Sequence, residues 1–306
     1  MPSFFVRAIV LVSALGLCAC RGAQPPATAP QSADAGSVTG LDPAPVDEAL
    51  LEALQSFRDR FACNAISGCP AEAVLIGFGW AARPHLEQMF QRAPKQATYR
   101  ARAVRALAEL RDPQALPFLR RVATDSDPEA RGYAVLGIGL LGAREERANF
   151  EQLADSDRTV WSAAPRLSAL WVLRRWGDPT AEARFLEELR LLTSQQMAGP
   201  ALTWGLELCA RPEGPSCDAV LPAAARHGNF TVRRAAIRAI AVHPTPALAP
   251  VLVMAAADPI HSLAEVAERA LRELSGRQDL QGAGAWRDWC AQTKCDQPVL
   301  DPEEQP

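Results

Sequence analysis

The sequence predicts an all-α chain of stacked helical hairpins, an α-solenoid. Alanine makes up roughly a fifth of the 306 residues and aromatic residues only 6%, a composition that favours helix over strand. A short motif recurs at nearly constant spacing, and each copy is followed by a break and a second helical segment. With 48% hydrophobic and 22% charged residues, the chain can bury an extended core.

Residues 1–19 are predicted to be a signal peptide. Arg7 supplies a positive charge, and the apolar stretch that follows, of about ten residues, is half of what a membrane-spanning helix needs. The stretch ends in Leu17-Cys18-Ala19-Cys20, which resembles the lipobox of bacterial lipoproteins. The resemblance implies cleavage before Cys20 and a lipid anchor on that cysteine. The alternative is an ordinary secreted protein.

Residues 20–45 are predicted to be a disordered tether. They consist mainly of Ala, Pro, Gly, Ser and polar residues, with no hydrophobic period that could organise a core. In bacterial lipoproteins an aspartate after the lipidated cysteine favours retention in the inner membrane, and here Arg21 stands at that place. This favours the outer membrane, facing the periplasm or the cell surface.

The cysteines beyond the lipobox fall into three local pairs. The pairs are Cys63 with Cys69, Cys209 with Cys217, and Cys290 with Cys295. In an exported chain this arrangement predicts three disulfides of about 2–3 kcal/mol each. Redox or zinc chemistry is the weaker alternative, because no pair is C-x-x-C and the four histidines are scattered. We therefore predict no metal and no cofactor.

The recurring motif is R-x-x-A-Φ-R-A-Φ-A, in which Φ is aliphatic. It occurs at 100–108 and 233–241, and a third copy at 131–139 keeps the first arginine and the aliphatic positions. The last Φ of each copy marks a repeat unit. The seven markers, 31 to 35 residues apart, are Ile76, Leu107, Ile138, Leu173, Leu206, Ile240 and Leu271. The fourth and fifth depend on the spacing more than on the motif.

Each unit divides into two helical segments at a break. The breaks are Asp112-Pro113, Gly142, Gly177-Asp178-Pro179 and His243-Pro244. Proline disfavours helix in the residue before it and begins the next helix well. A single hairpin cannot bury its apolar face, so the units over residues 70–275 are predicted to stack.

The units resemble the short HEAT-like repeats of the PBS-lyase type. The matching residues are Ala130-Arg131-x-x-Ala134-x-x-Gly137-Ile138-x-x-Leu141-Gly142 and Val232-Arg233-x-x-Ala236-x-x-Ala239-Ile240, with Asp112-Pro113 and Asp178-Pro179 as turns. The resemblance implies a right-handed α-solenoid of about seven hairpins, in a bacterial lipoprotein. It also implies a binding groove formed by the second helix of each hairpin.

Both ends of the array are predicted to be caps. Residues 46–69 include an amphipathic helix over 46–61 that could cover the first repeat. Residues 276–306 include Trp286 and Trp289, three residues apart and so on one helix face, where they could cover the last repeat.

Arginines at matching positions of the repeats are the candidate binding residues. They are Arg100, Arg102, Arg105, Arg131, Arg233, Arg234 and Arg238. They could form a cationic stripe for an acidic partner. The favoured interpretation is a ladder of ion pairs with the adjoining units. The available aspartates are Asp112, Asp127, Asp157 and Asp178.

Four tryptophans cluster in the middle units. They are Trp161, Trp171, Trp176 and Trp204. An exposed aromatic cluster would be a binding hot spot, but the aliphatic neighbours favour a place in the core.

The function predicted is that of a non-catalytic scaffold, a monomer that binds an unidentified protein partner and touches the membrane through Cys20. No Ser-His-Asp or Cys-His arrangement and no phosphate loop stands out, so we expect no catalytic residue and no enzymatic activity. A net charge of −3 argues against nucleic acid as the partner. The alternatives are a hydrolase or transferase built on the solenoid, or a purely structural envelope component.

Overall fold

The computed structural model describes residues 48–59, 69–95, 98–156, 163–195 and 199–295. These residues form 15 α-helices joined by turns and short 3-10 helices, with no β-strand among them. The helices pair into seven hairpins that stack in chain order, which confirms the predicted α-solenoid. Within this part of the chain no helix is both long enough and apolar enough to span a bilayer. The predicted signal peptide and tether lie outside the described residues.

The hairpins place their helices in two rows. The first row comprises α2 (Pro70–Gly77), α4 (Thr98–Leu110), α6 (Pro128–Leu140), α8 (Ala163–Arg175), α10 (Gly199–Cys209), α12 (Phe230–Val242) and α14 (His261–Ser275). The second row comprises α3 (Arg83–Arg92), α5 (Leu116–Val122), α7 (Arg147–Ala154), α9 (Ala181–Ser194), α11 (Leu221–Ala224), α13 (Ala249–Ala255) and α15 (Gly282–Thr293). Each first-row helix contacts the next one in its row. Helix α1 (Glu48–Arg58) precedes the first hairpin and contacts α2.

The markers of the repeat all lie in the first row, one in each helix. Six of them are buried, and Ile76 is partly buried. Second-row side chains such as Leu119 and Leu252 are equally buried, and one hydrophobic core extends from Leu50 in α1 to Cys290 in α15. The apolar faces of the two rows therefore form a shared core along the array.

Capping residues and glycines explain where the helices begin and end. The side chains of Asp127 and Asn229 accept backbone N–H groups at the starts of α6 and α12, and Asp112 does the same for the turn before α5. Gly142 and Gly177 follow α6 and α8 with φ of 75° and 87°, a left-handed conformation that favours glycine.

Small residues let the first-row helices approach closely. Gly139 of α6 lies against Val172 of α8, and Gly132 lies against the ring of Trp204 in α10. A Cβ added at either glycine would overlap those side chains. Bulkier residues here would push the first-row helices apart.

Disulfides join neighbouring segments of the array. Cys209 is bonded to Cys217 in the loop after α10, and Cys290 is bonded to Cys295 at the end of α15. Cys69 is also disulfide-bonded, while its predicted partner Cys63 lies outside the described residues.

Candidate functional site

A cavity of about 790 Å³ opens on the first-row side of the array. Helices α2, α4 and α6 form one wall, and α10 and α12 form the other. The charged residues of the first wall are Glu72, Arg105 and Glu109, and those of the second are Glu207, Arg211, Arg234 and Arg238. The volume is within the range of ligand pockets, roughly 300–1,000 Å³.

The cavity forms because the array curls until its second and fifth hairpins meet. Arg211, just after α10, donates to both carboxylate oxygens of Glu109 in α4, at 2.6 and 3.1 Å. Arg105 Nη1 lies 4.0 Å from Glu207 Oε2, again joining α4 to α10. These contacts span about three repeats, and they make the first row the concave side.

The concave side differs from the expectation that the second helices would form the groove. The first row is lined with alanine and glycine at its helix contacts, whereas four consecutive second-row helices, α3, α5, α7 and α9, carry buried phenylalanines. These are Phe90, Phe118, Phe150 and Phe185. Small residues on one side and large ones on the other bend the stack toward the small ones.

The floor of the cavity is aromatic. Trp204 of α10 reaches across α8, where its Nε1 donates to Ser168 Oγ at 3.1 Å, and its ring lies 4.1 Å from that of Tyr133 in α6. Trp171 and Trp176 are buried in the core, as their neighbours indicated, and Trp161 lies outside the described residues. Trp204 is mostly buried too, yet it also lines the cavity.

The charged residues of the first wall are all engaged in ion pairs. Arg105 donates to both oxygens of Glu72 at 2.6 Å each, and Glu72 is only 5% exposed. Burial raises the pKa of Glu72, while the charge and hydrogen bonds of Arg105 oppose that rise. Glu109 accepts two hydrogen bonds from Arg211 of the second wall, so both carboxylates of the first wall have an arginine partner.

The second wall carries an excess of positive charge. Arg234 and Arg238 stand one turn apart on α12, and both line the cavity. Arg238 is exposed and makes no hydrogen bond or ion pair within the described part of the chain. Burial lowers the pKa of Arg234, and the like charges of Arg238 and Arg105 lower it further. This wall is therefore suited to a negatively charged group.

A carboxyl that titrates near neutrality lies beside the cavity. Enclosure by the concave face raises the pKa of Glu129, the second residue of α6, to about 7, and the charges of Asp127 and Glu207 add to the rise. Its side chain still reaches solvent. A group with such a pKa exchanges protons at physiological pH.

The arginines predicted from the motif divide into two groups. Arg105, Arg234 and Arg238 line the cavity. The others hold the array together: Arg131 donates to the backbone oxygen of Asp125 at 2.8 Å, and the Arg102 guanidinium lies 5.6 Å from the centre of the Phe57 ring in α1.

Arg100 and Arg233 form the ladder, with aspartates that the sequence did not single out. Arg100 donates to both oxygens of Asp125 at 2.8 and 2.6 Å, and Arg233 donates to both oxygens of Asp258 at 2.8 and 3.4 Å. Each acceptor follows its arginine by 25 residues, in the turn after the second helix of the same hairpin. The pairs thus connect the two helices of one hairpin rather than adjoining units.

The aspartates proposed for the ladder have other partners. Asp112 pairs with Arg83 at 2.6 Å and Asp178 with Arg147 at 3.4 Å, each across successive hairpins. Asp127 caps α6 and lies 3.8 Å from Arg100. Asp157 lies outside the described residues.

Several residues of the site were not found from the sequence. They are Glu72, Glu109, Glu129, Tyr133, Glu207 and Arg211. The repeat period was the available signal, because Glu72 precedes Arg105 by 33 residues and Glu109 precedes Arg211 by 102, about one and three repeats. A buried pair between Arg166 of α8 and Glu188 of α9 was also missed.

The acidic residues do not gather as metal ligands. Within the described ranges no three His, Cys, Asp or Glu side chains lie close enough together to hold a metal ion.

Comparison with known proteins identifies part of the array. The family model for HEAT repeats matches residues 83–170, from the start of α3 into α8. This part of the chain is therefore similar to HEAT repeats. A solved structure of human deoxyhypusine hydroxylase in complex with glycerol is similar over 74% of this chain and 96% of that chain, with a TM-score of 0.39 and 18% sequence identity. No curated protein sequence matches significantly.

The expectation that the chain is not an enzyme was wrong. It rested on a repeat array without a familiar catalytic motif, and the similar solved structure is that of an enzyme. At this TM-score the likeness gives the present chain no activity. Glu72 in the cavity and Glu129 beside it have raised pKa values, a property that catalytic groups share, so neither the fold nor the motifs exclude a reaction.

Proposed function

We propose that the protein binds a segment of a partner protein in the cavity of the first row. We further propose that it does so in the cell envelope, held by a lipid on Cys20. The observation that carries the binding function is the cavity itself, which five helices enclose and whose lining combines arginine, tyrosine and tryptophan. Arginine, tyrosine and tryptophan are the residues that most often dominate binding energy at protein interfaces.

The walls of the cavity are preorganised. Arg105 and Arg211 are each fixed by two hydrogen bonds to a carboxylate, and Trp204 is fixed by Ser168. Side chains already held in place lose little freedom when a partner binds, which favours affinity. The loop that carries Arg211 is further restrained by the Cys209–Cys217 disulfide.

Export to the envelope is supported by the N-terminal sequence and by the cysteines. The segment before Cys20 has the features of a lipoprotein signal, and the disulfides suit an oxidising compartment. The outer membrane, facing the periplasm or the cell surface, remains the address that Arg21 favours.

Site-specific photocrosslinking in intact cells tests the binding function. A photoreactive phenylalanine analogue replaces Ala73, which is exposed and lines the cavity, and in a matched variant it replaces Leu191, which is exposed on α9 in the second row. We expect a reproducible adduct with one partner from position 73 and none from position 191. The absence of an adduct at 73, or equal adducts at both positions, would contradict the proposal.

A second measurement tests the anchor separately. Cys20→Ser removes the residue proposed to carry the lipid, so the protein should move from the membrane to the soluble fraction of the envelope. If the variant stays with the membrane, the lipid anchor is wrong, while the crosslinking result stands on its own.

A further inference from the structure

The two walls of the cavity differ in how their arginines are neutralised. Arg105 of the first wall and Arg211 of the second wall each have a carboxylate of the first wall within hydrogen-bond distance. Glu207 is the carboxylate that the second wall contributes to the lining, and Arg105 lies 4.0 Å from it. Four arginines and three glutamates line the cavity, and two of the arginines, Arg234 and Arg238, are on α12.

The repeat explains why Arg238 lacks a carboxylate of its own. Arg105 and Arg238 occupy the same motif position, two residues before their markers. The partner of Arg105 is Glu72, four residues before the marker of α2. The corresponding position of α10, the neighbour of α12, is Leu202, which is fully buried in the core. An apolar residue thus stands where the first wall has its neutralising acid.

We propose that the guanidinium of Arg238, with Arg234 beside it, binds a carboxylate of an acidic polypeptide segment in the cavity. This inference rests on the proposed function and names the chemistry of the partner. A guanidinium matches a carboxylate geometrically, donating two parallel N–H···O bonds to its two oxygens. The bound carboxylate would also reduce the repulsion among the like charges of Arg234, Arg238 and Arg105.

The rest of the lining favours a polypeptide over a membrane surface. Glu207 lines the same cavity and would repel a densely anionic headgroup layer. The carboxylates of Glu72 and Glu109 are engaged by arginines, which leaves Glu207 able to accept a backbone N–H from a peptide. A polypeptide segment with a carboxylate for Arg238 and a backbone N–H for Glu207 therefore matches both the positive and the negative residues of the lining.

Calorimetric titration of the mature chain with defined peptides tests this inference. The probes are capped five-residue peptides of alternating alanine and glutamate, alanine and glutamine, or alanine and lysine, with inorganic phosphate as a fourth. We expect the glutamate peptide to bind at least tenfold more tightly than the glutamine peptide and than phosphate. Raised salt should weaken it, because the contact is ionic and partly exposed.

Two charge reversals localise the site. Arg238→Glu should weaken the glutamate peptide at least tenfold. Arg190→Glu, on the exposed surface of α9 away from the cavity, should change the affinity for the glutamate peptide by less than twofold. Arg238→Lys keeps the charge but cannot donate two parallel hydrogen bonds to one carboxylate, so its affinity for the glutamate peptide should lie between those of the wild type and Arg238→Glu. Because Arg238 makes no ion pair in the described part, its variants should keep the thermal stability of the wild type.

The opposite results overturn the inference. Equal affinity for the glutamate and glutamine peptides, or equal losses in the two charge-reversal variants, would show that Arg238 does not recognise a carboxylate. Phosphate binding as tightly as the glutamate peptide would make the site one for a free anion rather than a polypeptide. If the adduct at position 73 persists in cells carrying Arg238→Glu, the partner binds without this contact, and only the further inference fails.

Discussion

The two best copies of the repeat motif, in α4 and α12, have the same sequence pattern but differ in one of their two arginine contacts. Their first arginines behave alike: Arg100 bonds Asp125 and Arg233 bonds Asp258, each at a separation of 25 residues. This contact lies within one hairpin, so it recurs wherever the hairpin recurs.

The later arginine of the motif behaves differently in the two copies. Arg105 is held by Glu72 of the neighbouring helix, whereas Arg238 has Leu202 at the corresponding neighbour position and faces the cavity without an ion pair among the described residues. A contact with a neighbouring hairpin depends on which residue that hairpin carries, so it can differ between copies of the same motif. The same motif therefore stabilises the structure at one end of the curl and leaves a cation available at the other.

The largest expected difference comes from removing the later arginine in each copy. Arg105→Leu leaves Glu72 buried without its partner, and we expect the free energy of unfolding to fall by about 2–3 kcal/mol. Arg238→Leu breaks no ion pair and should change it by less than about 0.5 kcal/mol. Denaturant titration of both variants measures the difference.

A double variant separates the loss of the pair from a packing defect. Glu72→Leu combined with Arg105→Leu removes both charges, so it should recover most of the stability lost in Arg105→Leu alone. Equal destabilisation by Arg105→Leu and Arg238→Leu, or no recovery in the double variant, would remove the contrast between the two copies.

The first arginines should give similar effects, because each donates two hydrogen bonds to the aspartate 25 residues later. Arg100→Ala and Arg233→Ala each remove two hydrogen bonds to an aspartate, and Arg233→Ala also removes two to the backbone oxygens of His227 and Gly228. We expect a loss of about 1.5–2 kcal/mol in the free energy of unfolding at neutral pH for each. The Arg100 guanidinium also lies 3.8 Å from the centre of the Phe90 ring, a contact that offsets the additional backbone hydrogen bonds of Arg233.

Acid provides the control for this pair. Hydrogen bonds from Arg100 lower the pKa of Asp125 to about 2. The stabilisation is therefore present above the ordinary pKa of an aspartate, near 4, and is lost as the pH falls toward 2. The wild type and Arg100→Ala should converge in that range. A constant difference at all pH values would mean that the arginine acts through packing instead.

Much of the fold could be predicted from the sequence because repeats encode local structure. The markers required only that one aliphatic residue per unit be buried, and even Leu173 and Leu206, which depended on spacing, lie in first-row helices. Asp112 and Gly142 stand at helix boundaries because capping and left-handed turns depend on a few adjacent residues.

The site could not be predicted to the same extent, because it depends on the curvature of the array. Curvature sums small differences in packing over many hairpins, and the sequence motif does not show which row is the concave one. Arg211 and Glu109 are 102 residues apart and meet only after the curl has formed. The pairing of Arg105 with Glu72 is easier to predict from the sequence, because the two residues are one repeat period apart and so lie in neighbouring first-row helices.

The smallest expected effect concerns the third copy of the motif, in α6. Two residues before the first arginine, the copies in α4 and α12 carry Thr98 and Thr231, whereas α6 carries Glu129. Enclosure, together with the charges of Asp127 and Glu207, raises the pKa of Glu129 to about 7, although Arg102 and Arg105 oppose this.

The sign of the resulting pH dependence follows from the proton that the folded state retains. The unfolded chain releases this proton near pH 4.5 and the folded chain near pH 7, so stability decreases as the pH rises through that window. Glu129→Gln cannot titrate and should remove this decrease, by less than about 1 kcal/mol because the side chain reaches solvent. Melting temperatures at pH 5 and pH 8 measure it, with Glu187→Gln on the exposed face of α9 as the matched control. An unchanged slope in Glu129→Gln would show that water within the concave face screens this carboxyl fully, and that the three copies of the motif do not differ in their proton affinity.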